Sequence, residues 1–302
     1  MISVKVPATS ANIGPGFDSI GIALNLYNTI SVEEIEQGLI IDITDETKKF
    51  LPLDKKNLVY RAMRSVFDEA GYSSKGIHII QTNSIPVTRG LGSSSASLVA
   101  GVMAANIICK AKMDKDDIIS FVSNFEGHPD NATPAIMGGF TVSVIENKKT
   151  YYQKIKIDSN KLKFGVFIPN FILKTKKARN ILPSVVPHTD AVYNLSRAAL
   201  LTAVMCTGYY DNLITALDDK LHEQYRKCFI KGADEIFRFA KQIGAYGSYI
   251  SGAGPAIISI ISTDIEQYFS KKTKEFLSQK YDNWSFITLQ ADNIGARLTQ
   301  KD

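Results

Sequence analysis

The sequence predicts an α+β protein of two domains. At 302 residues the chain exceeds what one hydrophobic core comfortably organises, so two domains or one large α/β domain are the open architectures. Hydrophobic residues make up 45% and charged residues 22%, near the average for soluble globular chains, so a packed core is expected. Strand-period and helix-period segments alternate along the whole length and are interrupted by the polar stretch Asp158-Ser159-Asn160. The expected division is therefore 1–158 and 159–302.

Four segments alternate apolar and polar residues and are expected as strands: Ser3 to Val6, Thr29 to Glu33, Leu39 to Ile43 and Ile77 to Gln81. Asn57 to Ala70 spaces Leu58, Ala62, Val66 and Phe67 for a helix and stops at Gly71. Ser95 to Lys110 has the broad apolar face of a second helix, and Asp114 to Phe125 is expected as a third. A turn is expected around His128-Pro129 and Gly138-Gly139. Strands Phe140 to Ile145 and Tyr151 to Ile157 follow. Beyond the break come strand Phe164 to Ile168, helices near Ala191 to Tyr209 and Ala233 to Gln242, and a long strand Tyr249 to Ile261. Helix Glu266 to Tyr281 and strand Ser285 to Gln290 complete the set.

The balance of 35 basic against 30 acidic residues gives +5, too diffusely spread to indicate nucleic acid but suited to an anionic ligand. Cys109, Cys206 and Cys228 are odd in number, far apart and never in a C-x-x-C pair, which points away from disulfides and zinc and toward a reducing compartment. Met1 leads straight into an alternating strand segment, and no stretch approaches the roughly 18 apolar residues of a membrane span. A cytoplasmic protein is expected.

The segment Gly90-Leu91-Gly92-Ser93-Ser94-Ser95 lies between a predicted strand and a long apolar helix. Glycines there let backbone N–H groups approach a ligand, and the serines fall where unpaired donors and the positive end of the helix dipole favour phosphate. On composition alone, simple capping of the helix is an equal contender. The segment is neither a Walker A loop nor G-x-G-x-x-G. The chain also lacks G-x-S-x-G, H-E-x-x-H, H-R-D and D-F-G, which removes the common hydrolase, zinc-protease and protein-kinase readings.

Pro86 to Ser94, as P-x-x-x-G-L-G-S-S, resembles the second motif of the GHMP kinases, the small-molecule kinases named for galactokinase, homoserine kinase, mevalonate kinase and phosphomevalonate kinase. Lys5 to Asp18, containing P-A-T-S-A-N-I-G-P-G-F-D, and Ser251-Gly252-Ala253-Gly254-Pro255 resemble the first and third. Three ordered motifs span nearly the whole chain. The resemblance implies a two-domain GHMP kinase fold, its N-terminal half like the second domain of a ribosomal small-subunit protein and its C-terminal half ferredoxin-like. It further implies ATP held by Pro86, Gly90, Leu91, Gly92, Ser93, Ser94 and Ser95, with Asn57 facing the adenine.

The form of the first motif resembles the homoserine kinase branch, which implies ATP-dependent phosphorylation of L-homoserine. By that likeness Asn12 and Asp18 hold the amino acid, and His128 and Asn131, in Glu126 to Gly139, line its pocket. Glu126 and Ser94 are implied to ligate Mg²⁺. The segment Thr175 to Pro183, as T-x-x-A-R-x-x-L-P, contributes Thr175 and Arg179; Arg226 and Gly252 complete the substrate set. A carboxylate such as Asp18 suits an α-ammonium group, and two guanidinium groups suit an α-carboxylate. Asp130 matches the aspartate that mevalonate kinases use near the hydroxyl, whereas homoserine kinases are described without a dedicated base. Another GHMP-type substrate, a non-catalytic nucleotide sensor and an RNA-binding protein remain alternatives. A homodimer is a family expectation.

Overall fold

The computed structural model describes residues 1–299. The first half runs β1 (Ile2–Asn12), β2 (Gly16–Glu34), β3 (Gly38–Ile43), α1 (Leu58–Glu69), β4 (Gly76–Asn83), α2 (Ser93–Cys109), α3 (Lys115–Glu126), α4 (Ala132–Met137), β5 (Phe140–Glu146) and β6 (Lys149–Ile155). The second runs β7 (Leu162–Pro169), α5 (Thr175–Asn180), α6 (His188–Thr207), α7 (Leu213–Ala216), α8 (Glu223–Arg226) and α9 (Ala233–Gln242). It continues through β8 (Gly247–Ile250), β9 (Ile257–Ser262), α10 (Glu266–Lys280), β10 (Trp284–Leu289) and β11 (Arg297–Thr299).

Seven strands form the first sheet along β11-β1-β2-β4-β3, with β5 joining β2 and β6 joining β5. Among the described residues only β3 and β4 run parallel, and α1 lies between them in sequence. The second sheet has the order β10-β7-β9-β8, all neighbours antiparallel. Numbered within its own half that is 4-1-3-2, with helices after the first and third strands, the expected ferredoxin-like arrangement.

Several elements depart from the sequence-based expectation. The first two strands are longer than expected, because Val6–Asn12 of β1 is buried without interruption and shows no two-residue alternation. The motif residues around Asn12 and Asp18 therefore sit on paired strands. The expected turn after Pro129 contains α4, where Pro134 is accommodated in the first turn. The expected long strand Tyr249 to Ile261 is two strands, β8 and β9, separated by the third motif with Gly252 and Gly254 at positive φ. Finally, β11 returns to the first sheet, pairing Ser3 with Thr299 and Lys5 with Arg297. We propose that 1–158 and 159–302 be kept as the two halves, with this last strand crossing back.

One core cluster packs α1, α2 and α3 on the first sheet and continues through Phe164, Val166, Ile258 and Ile260 of the second. Another, with Phe167, Ile236, Phe269 and Trp284, lies against α9 and α10. The halves thus share a continuous apolar interior, which holds the cleft between them in register. Among the described residues, no helix is long and apolar enough to cross a membrane.

Gly21 of β2 sits against the backbone of the loop before α4: a Cβ there would lie 1.7 Å from the Asp130 carbonyl oxygen. Overpacking of this kind costs about 1–3 kcal/mol. Gly21→Ala is expected to lower unfolding stability in denaturant titration by that amount, with the slope of the transition unchanged.

Candidate active site

The three motifs meet through backbone hydrogen bonds. Thr9 N–H donates to Leu91 O, Gly252 N–H to Ala11 O and Ala256 N–H to Arg89 O, at 3.0–3.2 Å. Ser251 Oγ–H donates to Gly90 O at 2.6 Å, and Ser251 and Ser10 share a hydroxyl contact of 2.8 Å. This packing dictates the loop's glycines. A Cβ on Gly90 would lie 2.2 Å from Ser251 O, and one on Gly92 would lie 1.9 Å from Thr9 Oγ1; both residues have positive φ. Non-glycine residues Asn12, Asp18 and Thr88 also hold left-handed backbone here, the kind of strain that persists where surrounding bonds over-determine the chain.

The junction lines a cleft of about 510 Å³ that contains Gly90 to Ser95 along with Asn12, Asp18, Glu126, His128, Asp130, Asn131, Thr175, Arg179, Arg226 and Gly252. The serines are not caps. Gly92 occupies the N-cap of α2 and makes no side-chain capping bond, which puts Ser93, Ser94 and Ser95 in the first turn. The first-turn N–H donors of a long buried helix are thus left without a side-chain partner beside a cleft, an arrangement that favours an anion.

Glu126, the last residue of α3, accepts from Ser95 Oγ–H through both carboxylate oxygens, at 2.7 and 2.8 Å. Glu126 is thus oriented by Ser95, the residue next to the Ser94 expected to share a metal ion with it. Helical phase decides which serine reaches Glu126: Ser95 is buried, whereas Ser94 is exposed, and both line the cleft. Burial pushes Glu126 up to about 7, against the opposing pull of His128 and Ser95.

Opposite the loop lie the residues expected to hold substrate. Asn12, 3% exposed, donates through Nδ2 to Gly252 O at 2.8 Å and accepts from Asp18 N–H at 3.1 Å. Asp18 pairs bidentately with Arg179, at 2.6 and 2.9 Å. Arg226 is 1% exposed; its Nε donates to Ala178 O and its Nη1 to Gly252 O. Phe17 carries both guanidinium groups over its ring, at 5.6 Å for Arg179 and 5.2 Å for Arg226. His128 Nδ1–H donates to Asp130 Oδ1 at 2.7 Å. Burial pulls His128 down, but the bond to Asp130 and its charge outweigh this and raise it. Asn131 accepts from Thr9 Oγ1–H at 2.7 Å, tying α4 to the first motif.

Two expected ATP contacts do not line this cleft. Asn57 is buried and fully used in folding: its Oδ1 accepts from Val59 N–H to cap α1, and its Nδ2 donates to Pro52 O. Its neighbour Leu58, with Phe50, Val87 and Phe125, supplies an apolar wall instead. Pro86 lines a neighbouring hollow of about 400 Å³.

Sequence reasoning missed the polar layer behind Arg226. Asp219 accepts from the N–H groups of Leu221, His222 and Glu223 and from Asn194 Nδ2–H. His222 donates from Nε2 to Gly14 O and accepts at Nδ1 from Arg226. Burial holds His222 below its usual value, consistent with the neutral ring those bonds need, and brings Arg226 down to about 10. The available signal was His222 lying one helical turn before Arg226. Glu223 accepts from Ile250 N–H at 2.6 Å, fixing the strand that leads into the third motif.

Burial, reinforced by Asp219, raises Glu223 from an ordinary value of 4.5 to about 8. The protonated acid is thus favoured in the folded chain, so its stabilisation is complete below pH 4.5 and is lost as pH rises to 8. Glu223→Gln keeps the acceptor and removes the titration. Its melting temperature is expected to exceed that of the unsubstituted protein at pH 8.5, with the gain vanishing toward pH 4.5.

Comparison with known proteins agrees with this geometry. The model of the GHMP kinases N terminal domain matches residues 57–139, and that of the GHMP kinases C terminal matches residues 206–274. The chain is 47% identical to a homoserine kinase of Caldicellulosiruptor bescii, over 99% of this chain and 97% of that one. It superposes on the crystal structure of homoserine kinase from Cytophaga hutchinsonii with a TM-score of 0.88 and 29% identity, covering 99% and 97% of the two chains. The L. major mevalonate kinase, at 15% identity and a TM-score of 0.71 over 95% of each chain, shares the fold. The motifs, the cleft they build and these full-length likenesses together show that the chain belongs to the GHMP kinases and, within them, to the homoserine kinases.

Proposed function

We propose that the protein transfers the γ-phosphoryl group of ATP to the side-chain hydroxyl of L-homoserine, giving O-phospho-L-homoserine. The observation that carries this reading is one cleft with two ends of different chemistry. The uncapped N-terminus of α2 suits phosphates. Asp18, Arg179 and Arg226 match the ammonium and carboxylate of a free amino acid. Phosphoryl transfer through a loose transition state relies chiefly on positioning and charge neutralisation, and both are supplied by side chains already fixed by hydrogen bonds.

Glu126 and Ser94 form an oxygen donor set of the kind Mg²⁺ takes, and a cation there would relieve the raised Glu126 carboxylate. Ser95 then acts one step back, orienting Glu126. Bound Mg²⁺ would neutralise phosphate charge. In this reading the apolar wall of Phe50, Leu58, Val87 and Phe125 faces the base, replacing the role expected of Asn57. Asn131, held by Thr9, lines the same cleft, and Asp130 acts by holding His128 and Asn131.

ADP release measured against a panel of alcohols tests the substrate. L-Homoserine is expected to give the highest kcat/KM; a sugar or mevalonate exceeding it would overturn the assignment. Glu126→Gln is expected to lower kcat by about a hundredfold or more, read in the same assay at saturating Mg²⁺. Asp130→Asn is expected to lower kcat less than about tenfold. A loss of several orders of magnitude with KM unchanged would instead assign proton abstraction to Asp130.

A further inference from the structure

The two side chains proposed to hold opposite charges of the substrate are bonded to each other. Arg179 Nη1 and Nη2 donate to the two oxygens of Asp18 at 2.9 and 2.6 Å, so both faces that would meet a ligand are consumed by the pair. Their environments differ from that of Arg226. The Asp18 and Arg179 side chains are 32% and 36% exposed, and the pair raises the Arg179 guanidinium above its usual value. Arg226 is buried, with Nε and Nη1 committed to Ala178 O, Gly252 O and His222. It is a fixed cation. Arg179 sits at the cleft wall on α5, a helix of six residues.

Asp18 is the anchored member of the pair. Its backbone is left-handed, at φ 53°, and its N–H donates to Asn12 Oδ1 at 3.1 Å, so its carboxylate stays directed into a cleft that also holds Asp130. Oxygen or nitrogen atoms of Asp18, Asp130 and His128 lie within 4.8 Å of one another. Withdrawal of Arg179 alone would leave two carboxylates close together with only His128 between them, which is costly at partly buried distances. Removal of the Asp18 carboxylate from Arg179 would in turn leave that cation near Arg226, whose charge opposes it, both guanidinium groups lying over the Phe17 ring.

We infer that the Asp18–Arg179 pair is the specificity device of the amino acid pocket, opened only by a ligand that carries an ammonium and a carboxylate together. A zwitterion exchanges one ion pair for two, its ammonium taking Asp18 and its carboxylate taking Arg179 beside Arg226. A ligand with one charge satisfies one partner and strands the other, so it competes with the resting pair at a net loss. The inference rests on the proposed amino acid reading of the cleft. It adds that the two charge contacts act as a single unit, which independent contacts would not.

Inhibition by two mono-charged relatives of homoserine tests this: 4-hydroxybutanoate, which lacks the ammonium, and 3-aminopropan-1-ol, which lacks the carboxylate. In the unsubstituted protein both are expected to bind weakly. Asp18→Asn frees Arg179, so it is expected to strengthen 4-hydroxybutanoate binding by about fivefold, the scale of a partly exposed pair, while weakening homoserine. Arg179→Gln frees Asp18, so it is expected to strengthen 3-aminopropan-1-ol by a similar factor and not 4-hydroxybutanoate. Either variant suffices if the other fails to fold. Mono-charged ligands whose affinity is unchanged or reduced in both variants would overturn the inference. The substrate reading fails separately, if the unsubstituted protein shows no ADP release with homoserine.

Discussion

Gly252 presents its carbonyl to Asn12 Nδ2 at 2.8 Å and to Arg226 Nη1 at 2.9 Å, and the cleft is organised around that oxygen. Through Asn12 it fixes the left-handed turn that projects Asp18. Through Arg226 it fixes a cation that burial would otherwise disfavour. The neighbouring Ser251 reaches Gly90 O and so locates the loop from Gly90 to Ser95. One short turn of the second half thereby sets the relative positions of groups from both halves, which transfer between two bound molecules requires.

Behind this turn, rigidity is graded in a way that matches function. Arg226, His222, Asp219 and Glu223 form a buried and mutually bonded layer, where each polar group has a partner and none can move alone. In front of it, Arg179 and Asp18 are partly exposed and pair only through their side chains. The fixed layer defines the pocket, and the exposed pair is what a ligand must rearrange. Both guanidinium groups lie over the Phe17 ring, so like charges converge on one region of the cleft.

Much of this was legible in the sequence because the motifs encode close approach. Gly90 and Gly92 read as backbone-ligand positions, and the structure adds a second reason for them in Ser251 and Thr9. Asn12, Asp18, Arg179 and Arg226 converge as the resemblance implied. Asn57 does not, because its capping bond to Val59 satisfies it within the fold. Helical phase, invisible in a run of three serines, assigns the bond to Glu126 to Ser95. The return of β11 to β1 was also hidden, since three residues carry no periodicity. The uninterrupted burial of β1 masked the alternation that would have given its true length. His222, Asp219 and Glu223 escaped notice because a polar layer behind a site has no motif of its own; only the partners reveal it.

In the proposed reaction one cleft brings the end of ATP to the hydroxyl of a free amino acid. Phosphorus NMR of the protein incubated with ATP, Mg²⁺ and L-homoserine tests it directly, because the product's phosphorus couples to the protons of the adjacent methylene. The expected result is a new phosphomonoester resonance with that splitting, growing in step with ADP. Growth of ADP and inorganic phosphate alone, with no phosphomonoester signal, would contradict the account.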